Sequence, residues 1–287
     1  MSLLNFHLDP QPALPFHAAA LFAEQALAAS AGDWPGVRSI RDIAFGPERW
    51  QRFDVFAPEG EATGRDVVIF LHGGGWTHGY KEWCGLMAPG ITARGALLVA
   101  PTYRLAPAHR YPVPVLDTLA AIAAIRSRIV EWGGDPDRLF LGGHSAGGHI
   151  AMQAALNPAL WTDAPFEALK GCLPLSGILD LRHPAPPAGS LEARVYELVL
   201  ADPSQDAEAS PLPALCRLSV PTHFCWGMRD SARVRQSNEA ARAMLGDPSD
   251  LASFHRADAD HFGTQLALID PGHRWYDDLQ TMRDRPR

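Results

Sequence analysis

The chain has 287 residues, of which 47% are hydrophobic and 20% charged, a balance that excludes a mostly disordered chain. Its formal net charge is −7 and lysine occurs only at Lys81 and Lys170, so the sequence disfavours the cationic surface that nucleic-acid binding needs. No stretch approaches 18 consecutive apolar residues, and the sequence therefore predicts no membrane span. The first 15 residues lack the cationic start of a signal peptide, and we expect a cytoplasmic protein.

The predicted elements alternate between strands and helices along the chain. An Ala- and Leu-rich helix over 17–31 comes first, and two short alternating segments at Ile43–Phe45 and Phe53–Phe56 are typical of edge strands. Continuous apolar runs then indicate strands buried on both faces, namely Val67–Leu71, Ala96–Ala100, Leu139–Leu141, Cys172–Leu175 and the weaker Val220–Trp226. Helical spacing predicts helices at Val115–Trp132, Ala146–Leu156 and Val234–Leu245. The alternation predicts an α/β fold with a mostly parallel central sheet and helices on both faces.

Residues 180–215 break this rhythm. They contain several prolines, a predicted helix at Leu191–Leu200 and an acidic stretch. Insertions at strand ends tend to shape pockets, so we expect this small insertion to lie over the functional site. The chain is interpreted as a single domain over 1–287, in which the N-terminal helical segment 1–35 is a candidate cap.

The pentapeptide Gly143-His144-Ser145-Ala146-Gly147 carries the strongest chemical signal. It follows the apolar run Leu139–Leu141 and precedes a predicted helix. A G-x-S-x-G sequence between a strand and a helix is typical of a nucleophile elbow, which lifts the serine hydroxyl out of the sheet. The alternative is an ordinary Gly-rich turn, and the strand–turn–helix context favours the elbow. Ser145 is therefore the candidate nucleophile.

A second glycine-rich segment, His72-Gly73-Gly74-Gly75-Trp76, directly follows the predicted strand at Val67–Leu71. Consecutive glycines let backbone N–H groups approach a ligand oxygen closely, and in α/β hydrolases such a loop supplies an oxyanion hole. We assign Gly74, Gly75 and Ala146, the residue after the nucleophile, as donors. A phosphate loop is disfavoured because G-x-x-x-x-G-K-[ST] is absent. Trp76 is a candidate substrate-binding residue, although a buried structural tryptophan fits equally well.

A serine nucleophile needs a base and an acid that orients the base, and in elbow enzymes these follow the serine in the order acid, then histidine. Asp230 follows a predicted strand, where catalytic residues of open α/β sheets gather, and we favour it over Asp258 and Asp260. The candidate bases are His149, His183, His223, His255 and His261. His261 is favoured because it lies in a loop, about one strand–helix unit after Asp230.

Metal and cofactor chemistry find little support in the sequence. The four cysteines are scattered without C-x-x-C, and no H-E-x-x-H occurs. His144 and His149 are five residues apart, which does not place them on one helix face. We expect no metal site, and acyl transfer through a serine needs no cofactor.

These motifs resemble the α/β-hydrolase superfamily from about residue 40 to 270. HGGGW at 72–76, YRLAP at 103–107 and GGDPDRLFLGGHSAGGH at 133–149 resemble the hormone-sensitive-lipase-type esterases. The second half is more similar to the kynurenine formamidase branch, in LSGILDLR (175–182), SP (210–211), DSARVRQS (230–237) and DHFGT (260–264). The resemblance implies Asp230 and His261 as partners of Ser145. Two features depart from formamidases, which usually carry an aromatic residue in place of Gly75 and often lack the arginine of YRLAP.

The sequence thus predicts a serine hydrolase that acts on a small carboxylic ester or an activated amide through Ser145, His261 and Asp230. Two alternatives stay open. An arylformamidase would use the same residues on N-formylkynurenine. A non-catalytic ligand-binding protein of the same fold would usually lack one of the three side chains. No nucleic-acid or membrane partner is expected, and the oligomeric state cannot be read from the sequence.

Overall fold

The computed structural model describes Phe6 and residues 8–285, so Met1–Asn5 and His7 of the candidate cap lie outside the described part. The strands are β1 (Val37–Ala44), β2 (Arg52–Pro58), β3 (Arg65–Leu71), β4 (Leu97–Pro101), β5 (Gly134–His144), β6 (Leu169–Leu175), β7 (Thr222–Arg229) and β8 (Ala252–Asp260). The α-helices are α1 (His17–Ser30), α2 (Ala88–Thr92), α3 (Val113–Arg128), α4 (Ala146–Leu156), α5 (Leu191–Arg194), α6 (Ala232–Leu245), α7 (Gly263–Leu266) and α8 (Arg274–Arg283).

All eight strands form one sheet in the order β1-β2-β4-β3-β5-β6-β7-β8. Strand β2 runs antiparallel to both of its neighbours, and the pairs from β4 to β8 are parallel. The carboxyl ends of the parallel strands therefore meet at one edge of the sheet, where open α/β folds bind their ligands. The predicted mostly parallel sheet is confirmed.

Each face of the sheet is covered by helices. The sequence of strand β3 is continuously apolar because Val67 and Ile69 point into one core and Val68 and Phe70 point into the other. The first core contains apolar residues of α3, α4 and α6, and the second contains those of α1, α2 and α8. Within residues 8–285, no helix is long and apolar enough to cross a bilayer.

Two sequence-based expectations need correction. The segment Phe53–Phe56 is not an edge strand, because β1 pairs along its outer side and its residues are buried between both cores. The predicted helix Leu191–Leu200 is α-helical only to Arg194 and continues as a π-helical turn over Val195–Val199. The sequence does not predict helix α8, because charged residues interrupt the apolar residues that contact the second core.

Candidate active site

Ser145 lies in the sharp turn between β5 and α4, at the carboxyl edge of the sheet. Its φ of 55° and ψ of −116° place a non-glycine residue in a sparsely populated conformation. Such strain costs about 1–3 kcal/mol and persists only where the surroundings enforce it. Here the Ser145 amide donates to the Leu175 carbonyl at 2.9 Å, and its carbonyl accepts from the His149 amide at 3.0 Å. The turn is thus fixed between β6 and the first turn of α4.

The flanking glycines are explained by how tightly this turn packs. A Cβ atom on Gly147 would overlap the carbonyl oxygens of Leu71 and His72, and one on Gly143 would overlap the backbone of Gly147. The first turn of α4 therefore rests directly on the end of β3. This close approach brings the nucleophile elbow and the HGGGW loop together.

His261 and Asp230 complete a chain of hydrogen bonds with Ser145. The Ser145 hydroxyl is 2.9 Å from Nε2 of His261, and Nδ1 of His261 is 2.7 Å from Oδ1 of Asp230. Asp230 directly follows β7 and His261 directly follows β8, so adjacent parallel strands deliver both side chains to the same edge. The structure thus brings together the three side chains that the sequence singles out.

The Asp230 carboxylate is fully buried and strongly hydrogen-bonded. Burial alone would raise its pKa, but hydrogen bonds from His261, the Ser176 hydroxyl and the Ser231 amide hold the pKa below its usual value. The Ser176 hydroxyl donates to Oδ2 at 2.6 Å and the Ser231 amide to Oδ1 at 2.7 Å. Asp230 therefore stays charged at neutral pH and accepts the Nδ1 hydrogen of His261.

Two further side chains, which the sequence analysis did not assign, support this pair. Ser176 has a φ of 49° and its hydroxyl lies 2.9 Å from that of Thr264, which donates to the His261 carbonyl at 2.7 Å. One hydroxyl network therefore contacts both the acid and the histidine. Both residues lie in the motifs LSGILDLR and DHFGT, so the resemblance to formamidases contains them. The spacing of residues along the chain does not single out either one.

His144 holds the same histidine from the other side. Its Nε2 donates to the His261 carbonyl at 2.8 Å, and the two rings lie 4.9 Å apart. Burial lowers the pKa of His144 to about 3, so this side chain is neutral at neutral pH. His144 therefore adds no positive charge beside His261.

The HGGGW loop is built on a buried histidine and a tyrosine. The His72 ring stacks on Tyr103 with centroids 4.3 Å apart, and the Tyr103 hydroxyl donates to the His72 carbonyl at 2.9 Å. Burial lowers the pKa of His72 to about 4, and neutral Nδ1–H donates to the Gly73 carbonyl at 2.7 Å. Gly74 has a φ of 113° and lies against the His78 carbonyl, where a side chain would not fit.

The predicted oxyanion donors are backbone amides near Ser145. Gly74 and Gly75 line the cavity that contains Ser145, whereas Ala146 is buried behind the serine as the first residue of α4. The amides of all three make no hydrogen bond to another described residue. Uncommitted N–H groups beside a nucleophile are suited to bind a developing negative charge.

A cavity of about 430 Å³ opens onto Ser145 and His261. Its walls come from the segment before α1 and α1 itself, from α5, and from the start of α6. The lining residues outside the loops already described include Leu14, Pro15, Phe16, Ala19, Phe22, Leu191, Arg194, Arg233 and Phe262. Both the candidate cap and the insertion therefore contribute walls. A larger groove of about 980 Å³ lies elsewhere on the surface, near the amino ends of β5, β6 and β7, and includes none of the candidate site residues.

Trp76 does not line this cavity. It is buried in the first core, and its indole N–H donates to Nδ1 of His149 at 3.1 Å. The second ring nitrogen of His149 lies 2.7 Å from the Ala209 carbonyl, so both side chains are committed to packing. We therefore do not keep Trp76 as a substrate-binding residue.

The remaining candidates lie away from the hydrogen-bond chain. Asp258 pairs with Arg229, and the Asp260 carboxylate accepts from the Gly263 amide at 2.7 Å. His223 is buried in β7 and contacts the Ser253 hydroxyl at 2.9 Å. Among the described residues, no group of three or more His, Cys, Asp or Glu side chains is arranged to hold a metal ion.

A model of the alpha/beta hydrolase fold matches residues 68–244, more than half of the chain. The chain belongs to the alpha/beta-hydrolase fold family. An esterase of Pyrobaculum calidifontis has the same fold, with a TM-score of 0.73 at 20% identity over 93% of this chain and 92% of that one. The fold that the sequence predicts, and the resemblance on which the prediction partly rests, are thus confirmed.

Relatives of this alpha/beta hydrolase include both esterases and a formamidase. The isoprenylcysteine alpha-carbonyl methylesterase of Arabidopsis thaliana is 34% identical over 140 residues, which are 46% of this chain and 33% of that protein. The chain thus spans about a third of the length of this curated relative. The kynurenine formamidase of Danio rerio is 26% identical over 240 residues, 81% of this chain and 78% of that protein.

The substitution Ser176→Ala tests the hydroxyl network. It removes a donor to the Asp230 carboxylate without adding bulk, and hydrogen bonds to charged groups contribute about 1.5–3 kcal/mol, only part of which is specific to the transition state. We expect kcat for p-nitrophenyl acetate to fall about 10-fold while KM changes less than about 2-fold. Ser127→Ala, at an exposed serine of α3, is the matched control. An unchanged kcat in Ser176→Ala would contradict a positioning role.

Proposed function

We propose that the protein is a serine hydrolase that cleaves small carboxylic esters or activated amides through an acyl-enzyme. The observation that carries this proposal is the unbroken chain of hydrogen bonds from Ser145 Oγ through His261 to Asp230, at 2.9 and 2.7 Å. A nucleophile within hydrogen-bond distance of a base, itself oriented by a buried acid, is the arrangement that acyl transfer through serine needs.

In the first half-reaction, Nε2 of His261 takes the hydroxyl proton of Ser145 as the oxygen attacks the substrate carbonyl. The Asp230 carboxylate accepts the Nδ1 hydrogen, which fixes the tautomer that leaves Nε2 free to accept a proton. It also stabilises the imidazolium that forms. The oxyanion of the tetrahedral intermediate accepts hydrogen bonds from the amides of Gly74, Gly75 and Ala146.

The intermediate then collapses as His261 gives its proton to the leaving alcohol or amine. Water repeats the sequence on the acyl-enzyme, with His261 again acting as the base, and releases the carboxylic acid and free Ser145. Every proton is carried by His261, so these steps involve only the side chains and amides named. The cavity of about 430 Å³ lies within the range of sites that bind small molecules, which supports a small-molecule substrate as the partner.

Single-domain organisation follows from the same proposal. The described part of segment 1–35 acts as a cap through residues such as Leu14, Phe16 and Phe22, and the insertion 180–215 contributes α5 to the wall of the same cavity. Both are walls of one cavity, so neither is a separate functional unit. We propose a cytoplasmic location for this enzyme.

Arylformamidase activity is the second candidate, favoured by the similarity to the zebrafish kynurenine formamidase over most of both chains. The same residues would attack the formyl carbonyl of N-formylkynurenine. A ligand-binding protein without catalysis is disfavoured, because the hydrogen-bond chain from Ser145 to Asp230 is complete.

Labelling with a fluorophosphonate probe tests the nucleophile directly. The wild-type protein should incorporate one equivalent on Ser145, whereas Ser145→Ala should incorporate none and lose about 10⁴–10⁶-fold in esterase kcat. Ser204→Ala, at an exposed serine of the insertion outside the cavity lining, should label like the wild type. Absence of labelling in the folded wild type would reject the serine hydrolase and favour a binding protein.

A substrate panel separates the two enzymatic candidates. Initial rates on p-nitrophenyl esters with acyl chains of two to twelve carbons are compared with those on N-formylkynurenine. Because the cavity is small and residues such as Leu14 and Phe16 narrow it, we expect kcat/KM to peak at short acyl chains. A kcat/KM for N-formylkynurenine above that of every ester would identify an arylformamidase. Preference for the longest acyl chains would contradict both candidates.

A further inference from the structure

Arg233 occupies an unusual place for a cation. It is the second residue of α6, three positions after Asp230, and it lines the cavity that contains Ser145. Its side chain is only 11% exposed. The Nε group donates to the Asp180 carbonyl at 3.0 Å, which holds the guanidinium against the insertion. Both terminal nitrogens are buried and have no hydrogen-bond acceptor within the described part of the chain.

The carboxylates around Arg233 do not satisfy these nitrogens. The Asp180 carboxylate is bound to Arg182 at 2.8 Å. Glu192 forms a long ion pair with Arg233, but its Oε1 is 4.0 Å from Nη1, beyond hydrogen-bond distance. Burial lowers the pKa of Arg233, yet arginine keeps its charge at neutral pH. A buried guanidinium therefore presents four terminal N–H donors with no acceptor, which is costly unless a ligand supplies one.

A second guanidinium belongs to the same wall. Arg194, at the end of α5, lines the cavity and forms no side-chain hydrogen bond or ion pair with another described residue. Among the described lining residues, Arg194, Arg233 and Glu192 carry the fixed charges, so cations exceed anions by one. Helix α5 also reaches the oxyanion loop, since Leu191 lies beside Gly75. The cationic wall is thus close to where a bound carbonyl would react.

We propose that Arg233, assisted by Arg194, binds a free carboxylate on the substrate, so that the preferred substrates are esters or amides that carry a carboxylate beyond the scissile bond. This inference rests on the proposed hydrolase function. A carboxylate offers two oxygens that match the fork of a guanidinium, and a partly apolar cavity strengthens such a pair. The carboxylate belongs to the acyl part or to the leaving group, and the substrates below distinguish the two.

Two matched pairs of substrates test the inference. Mono-p-nitrophenyl glutarate and p-nitrophenyl pentanoate have five acyl carbons and differ in an acyl carboxylate. The acetate esters of 4-hydroxyphenylacetic acid and of its amide differ in a leaving-group carboxylate. For each pair, the ratio of kcat/KM for the anionic over the neutral member is measured after subtraction of spontaneous hydrolysis.

In one of the two pairs, Arg233→Gln should lower this ratio by about 10- to 100-fold, the effect of losing a hydrogen bond between charged groups. Arg194→Gln should lower it less. Glu192→Gln should raise it, since a competing carboxylate is removed. Arg242→Gln, at an exposed arginine of the same helix outside the cavity lining, should leave it within about 2-fold.

The wild type provides an independent measurement if Arg233→Gln does not fold. Glutarate should inhibit hydrolysis of p-nitrophenyl pentanoate competitively, at a concentration at least about 10-fold lower than pentanamide does. An unchanged ratio in both pairs for Arg233→Gln would overturn this inference and leave the proposed function intact. Where that variant does not fold, equal inhibition by glutarate and pentanamide would have the same consequence. A wild type that cleaves none of the four esters would overturn the proposed function and this inference with it.

Discussion

The strained backbone of Ser145 is the constraint on which the geometry of this site depends. A φ of 55° directs the side chain away from the sheet and toward His261, and it is maintained by hydrogen bonds to Leu175 and His149. The same turn requires glycine at positions 143 and 147, because the backbone of α4 rests directly on the end of β3. That contact brings the HGGGW loop beside the serine. The strained turn therefore fixes the positions of both the nucleophile and the nearby amides.

The hydrogen bonds around His261 extend this constraint across three strands. Its ring contacts Ser145 and Asp230, and its carbonyl accepts from His144 and Thr264. The histidine is therefore held through both its ring and its backbone. Desolvation lowers the pKa of His144 and keeps that side chain neutral, whereas at Asp230 the interactions with His261, Ser176 and Ser231 together outweigh desolvation and keep the carboxylate charged.

Much of the fold could be predicted because buried parallel strands have continuously apolar sequences, as Val67–Leu71 shows. The positions of Ser145 and Asp230 could also be predicted, since each follows an apolar strand, and that of His261 could be predicted from its place in a loop about one strand–helix unit after Asp230. Other features depend on tertiary packing. The interior position of β2 is set by its pairing with β1, and Arg233 reads as an ordinary helix residue until the fold places it in one cavity with α5 and the segment before α1.

The central claim is that Ser145 attacks a carbonyl whose oxygen then binds the amides of Gly74, Gly75 and Ala146. A crystal structure of the protein after reaction with a short-chain fluorophosphonate tests it most directly, because the adduct resembles the tetrahedral intermediate. The account predicts phosphorus bonded to Ser145 Oγ and a phosphoryl oxygen within about 2.7–3.1 Å of these amide nitrogens. Phosphorus on another side chain, or a phosphoryl oxygen directed away from all three amides, would contradict it.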